Sequence, residues 1–261
     1  MNKSDKCLYK RKITCMNILV LSDLHIDTGD NFGVFKWDQL DFIKQVERVR
    51  DIFSIDKVIF NGDTFELLKY TFEEIRRANP ILLRYMKDKD FVFIKGNHDR
   101  NNGFGLKNYR ITNSKGQIIY MEHGHKADWL NSSRIGNILA ETGLVFLKRF
   151  SRSTIIMNMY LNLVSHLEKI NKIPKRYDTL KYLTYALKLL KDHDVVILSH
   201  THKLESHHTY YLNKKKRYLN SGSCSLGRLE GIIMNTETLQ YEFIKETKNS
   251  LFSYMPMSFA I

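Results

Sequence analysis

Five short fragments of the 261-residue chain end apolar runs in groups that bind hard or borderline metal ions. "SDLH" sets Asp23 and His25 two positions apart, and "NGDTFE" supplies Asp63. "GNHD" supplies Asn97, His98 and Asp99, "YMEHGHKAD" supplies His123 and His125, and "LSHTH" supplies His200 and His202. Carboxylate, imidazole and amide donors without thiolate suit manganese, iron or zinc, while so many imidazoles disfavour an oxygen-only magnesium site. Taken singly, each fragment is ordinary: Gly-Asp is a common turn, and a His-x-His pair on a strand only sets both rings on one face. Five in succession at the carboxyl ends of strand candidates carry more weight, because in α/β sheets such ends gather around ligands.

The elements that must position these groups follow from periodicity. Runs at 17–22, 57–62 and 90–96 read as strands, with helices over about 37–53 and 71–88 between them. This βαβαβ pattern, apolar on both strand faces, predicts an α/β fold with a mostly parallel sheet covered by helices on each side. From 128 to 193 the spacing turns helical, as in Ile135, Ile138 and Leu139 or Leu183, Leu187 and Leu190, and predicts an inserted helical cap. "DVVILS" (194–199) restores the strand pattern, and short runs near 206–212, 217–221, 229–234 and 239–244 read as β-structure closing the domain. The expected organisation is a core of 17–127 plus 194–246, a cap of 128–193 and a basic N-terminal extension of 1–16.

Hydrophobic residues at 43% with 12% aromatics argue against disorder. Forty-one Lys and Arg against 28 Asp and Glu give a formal charge of +13, concentrated at 3–12, 147–152, 171–176 and 213–217. Such clusters suit a phosphorylated substrate, an anionic membrane surface or nucleic acid, or are simply solvated. Cys7, Cys15 and Cys224 show no CxxC spacing, which argues against a disulfide framework or a thiolate metal site and fits a reducing, cytoplasmic setting. The most apolar late segment, 155–167, is interrupted by Asn158, Asn162, Ser165 and His166 and is too short and polar to span a bilayer.

In order, "SDLH", "NGD", "GNHD", "EHGH" and "SHTH" resemble the five motifs of the calcineurin-like metallophosphoesterase superfamily, over about residues 17–234. "LNSGSC" (219–224) resembles that family's Asn-x-Gly-Ser segment. The resemblance implies a β-sandwich flanked by helices, with two divalent cations at the strand ends sharing a hydroxide that attacks phosphorus. Carried over residue by residue, Asp23, His25 and His202 would hold one cation and Asn97, His123 and His200 the other, with Asp63 between them. His98 would contact the phosphate and protonate the leaving oxygen, and Asp99 would orient its ring. His123 precedes a glycine as the family's ligand does, which leaves His125 to the rim or to a supporting role. Where the family usually has Gly before the last His pair, this chain has Ser199. Manganese is the expected metal, with iron or zinc as alternatives.

"GDTFE" and the helical insert further resemble the UDP-2,3-diacylglucosamine pyrophosphohydrolase branch, although "GNHD" stands where that branch commonly carries Arg in place of His. This implies a nucleotide-linked or lipidic small substrate; separately, the basic residues of the insert, Arg134, Arg149 and Arg152 among them, are candidates to attract a nucleotide diphosphate or an anionic membrane surface as a peripheral enzyme would. The alternative is a nuclease or general phosphodiesterase whose positive charge serves a polynucleotide. A non-catalytic scaffold, a third class, is disfavoured by the complete ligand set.

Overall fold

Alternate residues of the first apolar run face two different cores. In β1 (Asn17–Leu21), Leu19 and Leu21 pack with Phe42, Val46, Val49, Leu82 and Met86 of the helices. Ile18 and Val20 point the other way, toward Ile119, Val195, Ile197 and Leu219 of a second sheet. This is the period-two alternation of a strand buried on both sides. The structure, a computed structural model, describes residues 15–99, 104–127 and 176–247. Arg134, Arg149 and Arg152, most of the expected cap and most of the basic extension lie outside the described residues.

The first sheet has the order β10-β9-β1-β2-β3, adding β2 (Lys57–Asn61), β3 (Val92–Ile94), β9 (Arg228–Asn235) and β10 (Tyr241–Thr247). The second has the order β4-β5-β6-β8-β7, from β4 (Tyr109–Thr112), β5 (Ile118–Met121), β6 (Val195–Leu198), β7 (Leu204–Tyr211) and β8 (Lys214–Ser221). Two expectations are corrected here. Parallel pairing is confined to β1-β2-β3 and to β5-β6-β8, so both sheets are mixed. Each sheet is covered by helices on one face only, and its other face is buried against its partner sheet. The late short runs explain this, because they form hairpins. Leu212 and Asn213, both at positive φ (49° and 59°), make the two-residue connection between β7 and β8.

Helix α1 (Gln39–Ile52) starts at Asp38, whose side chain accepts from the backbone N–H groups of Leu40 and Asp41. The single helix expected over 71–88 is two: α2 (Phe72–Ala78), opened by a Thr71–Glu74 capping box, and α3 (Pro80–Asp88). Pro80 cannot donate the hydrogen bond that a continuous helix needs, and it begins the second helix instead. Helix α4 (Arg176–Leu189), the last element of the expected cap, lies on the outer face of the second sheet, and Ala186 and Leu190 pack there with Tyr120, Val196, Leu198 and Tyr218. The result is an α/β/β/α sandwich whose parallel strands in both sheets deliver the motif residues to one end. Among the described residues, no helix is long and apolar enough to cross a membrane.

Phe42 is fully buried, with ring centroids of Phe35 and Trp37 at 5.4 and 5.8 Å. Phe42→Ala is expected to lower stability by about 3–5 kcal/mol, measured by urea unfolding monitored by circular dichroism.

Candidate metal centre

The motif residues leave their strands through tightly turned backbone. Asp23 (φ 50°) and His25 (51°) follow β1, Asp63 (48°) follows β2, and His200 (72°) and His202 (56°) follow β6. Side chains other than glycine enter this left-handed region at a cost of about 1–2 kcal/mol each. Cross-strand hydrogen bonds hold the turns: Asp23 N–H donates to Gly62 O (3.0 Å), His25 N–H to Asp63 O (2.9 Å) and Ser199 N–H to His123 O (3.0 Å). Two glycines make the close approach possible. A Cβ on Gly62 would stand 2.3 Å from His123 Nδ1, and one on Gly96 would stand 2.0 Å from Asp63 Oδ1.

The fold therefore brings together residues that lie far apart in the chain. Donor atoms of Asp23, His25 and His202 lie within 4.8 Å of one another, as do those of Asp63, His123 and His200, and those of His25, Asp63 and His98. Asp63 Oδ2 lies 3.1 Å from His123 Nε2 and 4.0 Å from His25 Nε2, so its carboxylate stands between the two expected ligand groups. His202 Nε2 is 3.1 Å from Asp23 Oδ1, and Asn97 Oδ1 is 3.2 Å from His123 Nε2. His123 Nδ1 donates to the backbone carbonyl of Asn61 (3.0 Å), which leaves Nε2 as the atom facing Asp63 and Asn97. Buried His25 Nε2 has no hydrogen-bond partner among the described residues. Donors separated by 3–4 Å match two ligands on one ion with bonds of about 2.0–2.2 Å. The residues present thus fit divalent cations.

Charge follows the same geometry. Burial opposes ionisation of Asp23, but the imidazoles of His202 and His123 outweigh it and hold the carboxyl below its usual range. Asp63 is likewise held well down, burial being overcome by His123 and His98. Burial pushes His200 down to about 3, with His123 adding to the effect. Burial also acts against His123, yet Asp63 and Asp23 raise it to about 9, so a cation beside Asp63 competes with a proton there.

The structure places His98 at the edge of this cluster, Nε2 3.9 Å from Asp63 Oδ2. The expectation that Asp99 orients the His98 ring is corrected. Asp99 accepts from the backbone N–H groups of Thr64 (3.1 Å), Phe65 (2.9 Å) and Gly96 (3.1 Å), tying the turn after β3 to the turn after β2. Burial and neighbouring Asp63 push its carboxyl up to about 6. The ring is held by Glu66, which sequence reasoning missed: Oε1 is 2.8 Å from His98 Nδ1, Oε2 is 3.2 Å from His25 Nδ1, and Lys69 Nζ lies 3.5 Å from Oε2. The available signal was the carboxylate three residues beyond Asp63 in "NGDTFE". His125 is half-buried on a short turn, its ring 5.5 Å from that of His123 and 6.5 Å from that of His200, beside the cluster.

The calcineurin-like phosphoesterase family model matches residues 16–223, and the chain belongs to this family of metal-dependent phosphoesterases. No curated protein matches it significantly. Solved structures similar to it include a conserved uncharacterized protein, a predicted phosphoesterase, from Streptococcus pneumoniae TIGR4 (16% identity, 94% of this chain and 95% of that one, TM-score 0.42). A metallophosphoesterase from Sphaerobacter thermophilus (12% identity, 90% of each chain, TM-score 0.39) is also similar. So is the calcineurin-like phosphoesterase YfkN from Bacillus subtilis (8% identity, 92% of each chain, TM-score 0.42). At such scores the membership rests on the family match.

Gly96→Ala puts a methyl group where the Asp63 carboxylate must be. The expected outcome is at least tenfold weaker manganese binding by calorimetry, with the circular dichroism spectrum retained.

Proposed function

We propose that this chain hydrolyses a phosphodiester or diphosphate bond in a nucleotide-linked or lipidic small molecule, using two divalent cations, manganese by preference. The observation that carries the reading is the buried Asp63 carboxylate standing between two sets of donors. Cations bound there would make water a nucleophile near neutral pH and neutralise charge on the phosphoryl oxygens. Asp23, His25 and His202 would hold one cation, and Asn97, His123 and His200 the other. The neutral amide of Asn97 adds a donor oxygen without adding negative charge beside the phosphate.

His98 is placed to serve as general acid. Glu66 fixes Nδ1, so the proton to be given resides on Nε2, on the side of Asp63. The other Glu66 oxygen lies 3.2 Å from His25 Nδ1, so one buried carboxylate stands against both an expected ligand and the expected acid.

An apolar arm on the substrate is supported by a cavity of about 1080 Å³ along α2 and α3, lined by Phe65 among others and by none of the expected ligands. Phe72, Phe91 and Phe93 line it, with Arg84 and Lys87 among them. A lining that mixes aromatic and cationic side chains would suit an anionic amphiphile, presented as a monomer or at an anionic membrane surface. The net charge of +13 favours a second reading, hydrolysis of nucleic acid.

Manganese-dependent hydrolysis of a bis(nitrophenyl) phosphate is expected for the wild type, with a fall of at least 100-fold in Asp63→Ala; equal rates would remove the central role of Asp63. His98→Asn should retain manganese and lose roughly 10²–10⁴-fold on alkyl leaving groups, and much less on nitrophenolate, whose departure needs no proton. For the substrate, kcat/KM is compared among a UDP-linked acylated sugar, its deacylated form and single-stranded DNA. The acylated compound should lead, and Arg84→Glu should raise its KM. A preference for DNA that collapses with salt would establish the second reading instead.

A further inference from the structure

Beneath the expected ligands, one residue back along several strands, lies a layer of fully buried polar side chains. Asn61, at the end of β2 in the first sheet, has three acceptors in the second sheet within reach of its amide nitrogen. They are Ser199 Oγ (2.7 Å), immediately before His200, the carbonyl of Glu122 (3.1 Å), immediately before His123, and, longest, the carbonyl of Ile197 (3.5 Å). The run continues through hydroxyls: Ser199 Oγ is 2.8 Å from Ser221 Oγ, which is 2.8 Å from Ser22 Oγ. Ser22 Oγ also reaches Gly222 O (3.1 Å) and Ser221 Oγ reaches Leu198 O (3.5 Å). The chain thereby returns to the first sheet at the residue before Asp23. Asn61, Ser199, Ser221 and Ser22 each have no exposed surface.

We propose that Asn61 and Ser199 are positioning residues, a clasp that sets the spacing of His123 and His200 and makes cation binding by Asn97, His123 and His200 selectively dependent on it. The inference rests on the two-cation reading of the site. His123 and His200 come from β5 and β6, and both must be placed against Asp63, which comes from the other sheet. Packing of apolar side chains between the sheets is non-directional and tolerates small sliding. Hydrogen bonds from one amide to the two residues that precede the imidazoles do not. Asp23 has ties of its own: Ser223 Oγ donates to its carbonyl (3.1 Å) and the His200 N–H donates to its Oδ2 (3.2 Å).

Ser199 is also where this chain departs from the glycine usual in its family. A glycine there would remove the shortest of the Asn61 contacts, leaving the longer one to the Ile197 carbonyl, and would take from Ser221 its hydroxyl partner, in a buried layer where such losses count.

The test loads chelator-treated wild type, Ser199→Ala, Ser199→Gly and Asn61→Ala with manganese(II). Spin coupling is followed by electron paramagnetic resonance, and each cation is located by anomalous diffraction. Wild type should give the coupled two-ion signal. The variants should need 10- to 100-fold more manganese to reach it, with occupancy lost beside His123 and His200 and kept beside Asp23, His25 and His202. Ser221→Ala, which leaves the Asn61–Ser199 contact in place, serves should the others fail to fold, with a smaller loss at the same position. Coupling at wild-type manganese levels in the variants that fold, or equal weakening of both positions as general instability would produce, overturns the clasp. A wild type that never binds a second manganese overturns the two-cation reading itself.

Discussion

The Asp63 carboxylate is the constraint around which the rest of the molecule is arranged. It is buried between the ends of two sheets and faces imidazoles on more than one side. An isolated buried carboxylate is prohibitive, so positive charge must be gathered around it. The surroundings are built to allow that. Gly62 and Gly96 remove the atoms that would obstruct His123 and Asp63, and left-handed backbone at Asp23, His25, Asp63, His200 and His202 turns the side chains inward. Five strained residues in one place persist only where the surrounding framework over-determines them.

That framework is the double sandwich. The first sheet supplies the carboxylates, Asn97 and His25, and the second supplies His123, His200 and His202. Neither sheet completes the cluster alone. The apolar layer formed by Ile18, Val20, Ile59, Ile119, Val195 and Ile197 keeps the two sheets together, and directional polar contacts above it set their register at the site. Chemistry and folding are therefore coupled through one interface: what buries the core also sets the separation of the donors.

Legibility in the sequence varied with the range of the interaction concerned. The strands before Asp23, Asp63 and His200 were readable because an apolar run ending in a polar turn is a local pattern, and β1, β2 and β6 fall close to where it places them. The break within 71–88 escapes hydrophobic periodicity, which runs on through Pro80, the residue that starts the second helix. Periodicity does not distinguish the second sheet, because a strand apolar on both faces reads the same whether a helix or another sheet covers it; the β-sandwich follows from the motif resemblance instead. At the site the same division holds. Asp99 and Glu66 are both carboxylates near a motif histidine, and the motif resemblance assigns the ring to Asp99 whereas the structure gives it to Glu66. Asp99 is next to His98, but its oxygens are taken by three backbone N–H groups, whereas Glu66 reaches the ring from the turn after β2.

By itself, the sequence determined the kinds of donor, their order and the strand ends that carry them, because residue type and hydrophobic period are properties of short windows of chain. Tertiary structure alone decided which carboxylate holds His98, that both sheets are mixed, and that Ser199 has a hydroxyl partner in Ser221 and an amide donor in Asn61. These depend on atoms brought within about 3 Å from strands distant in the chain, and such contacts leave no trace in local periodicity.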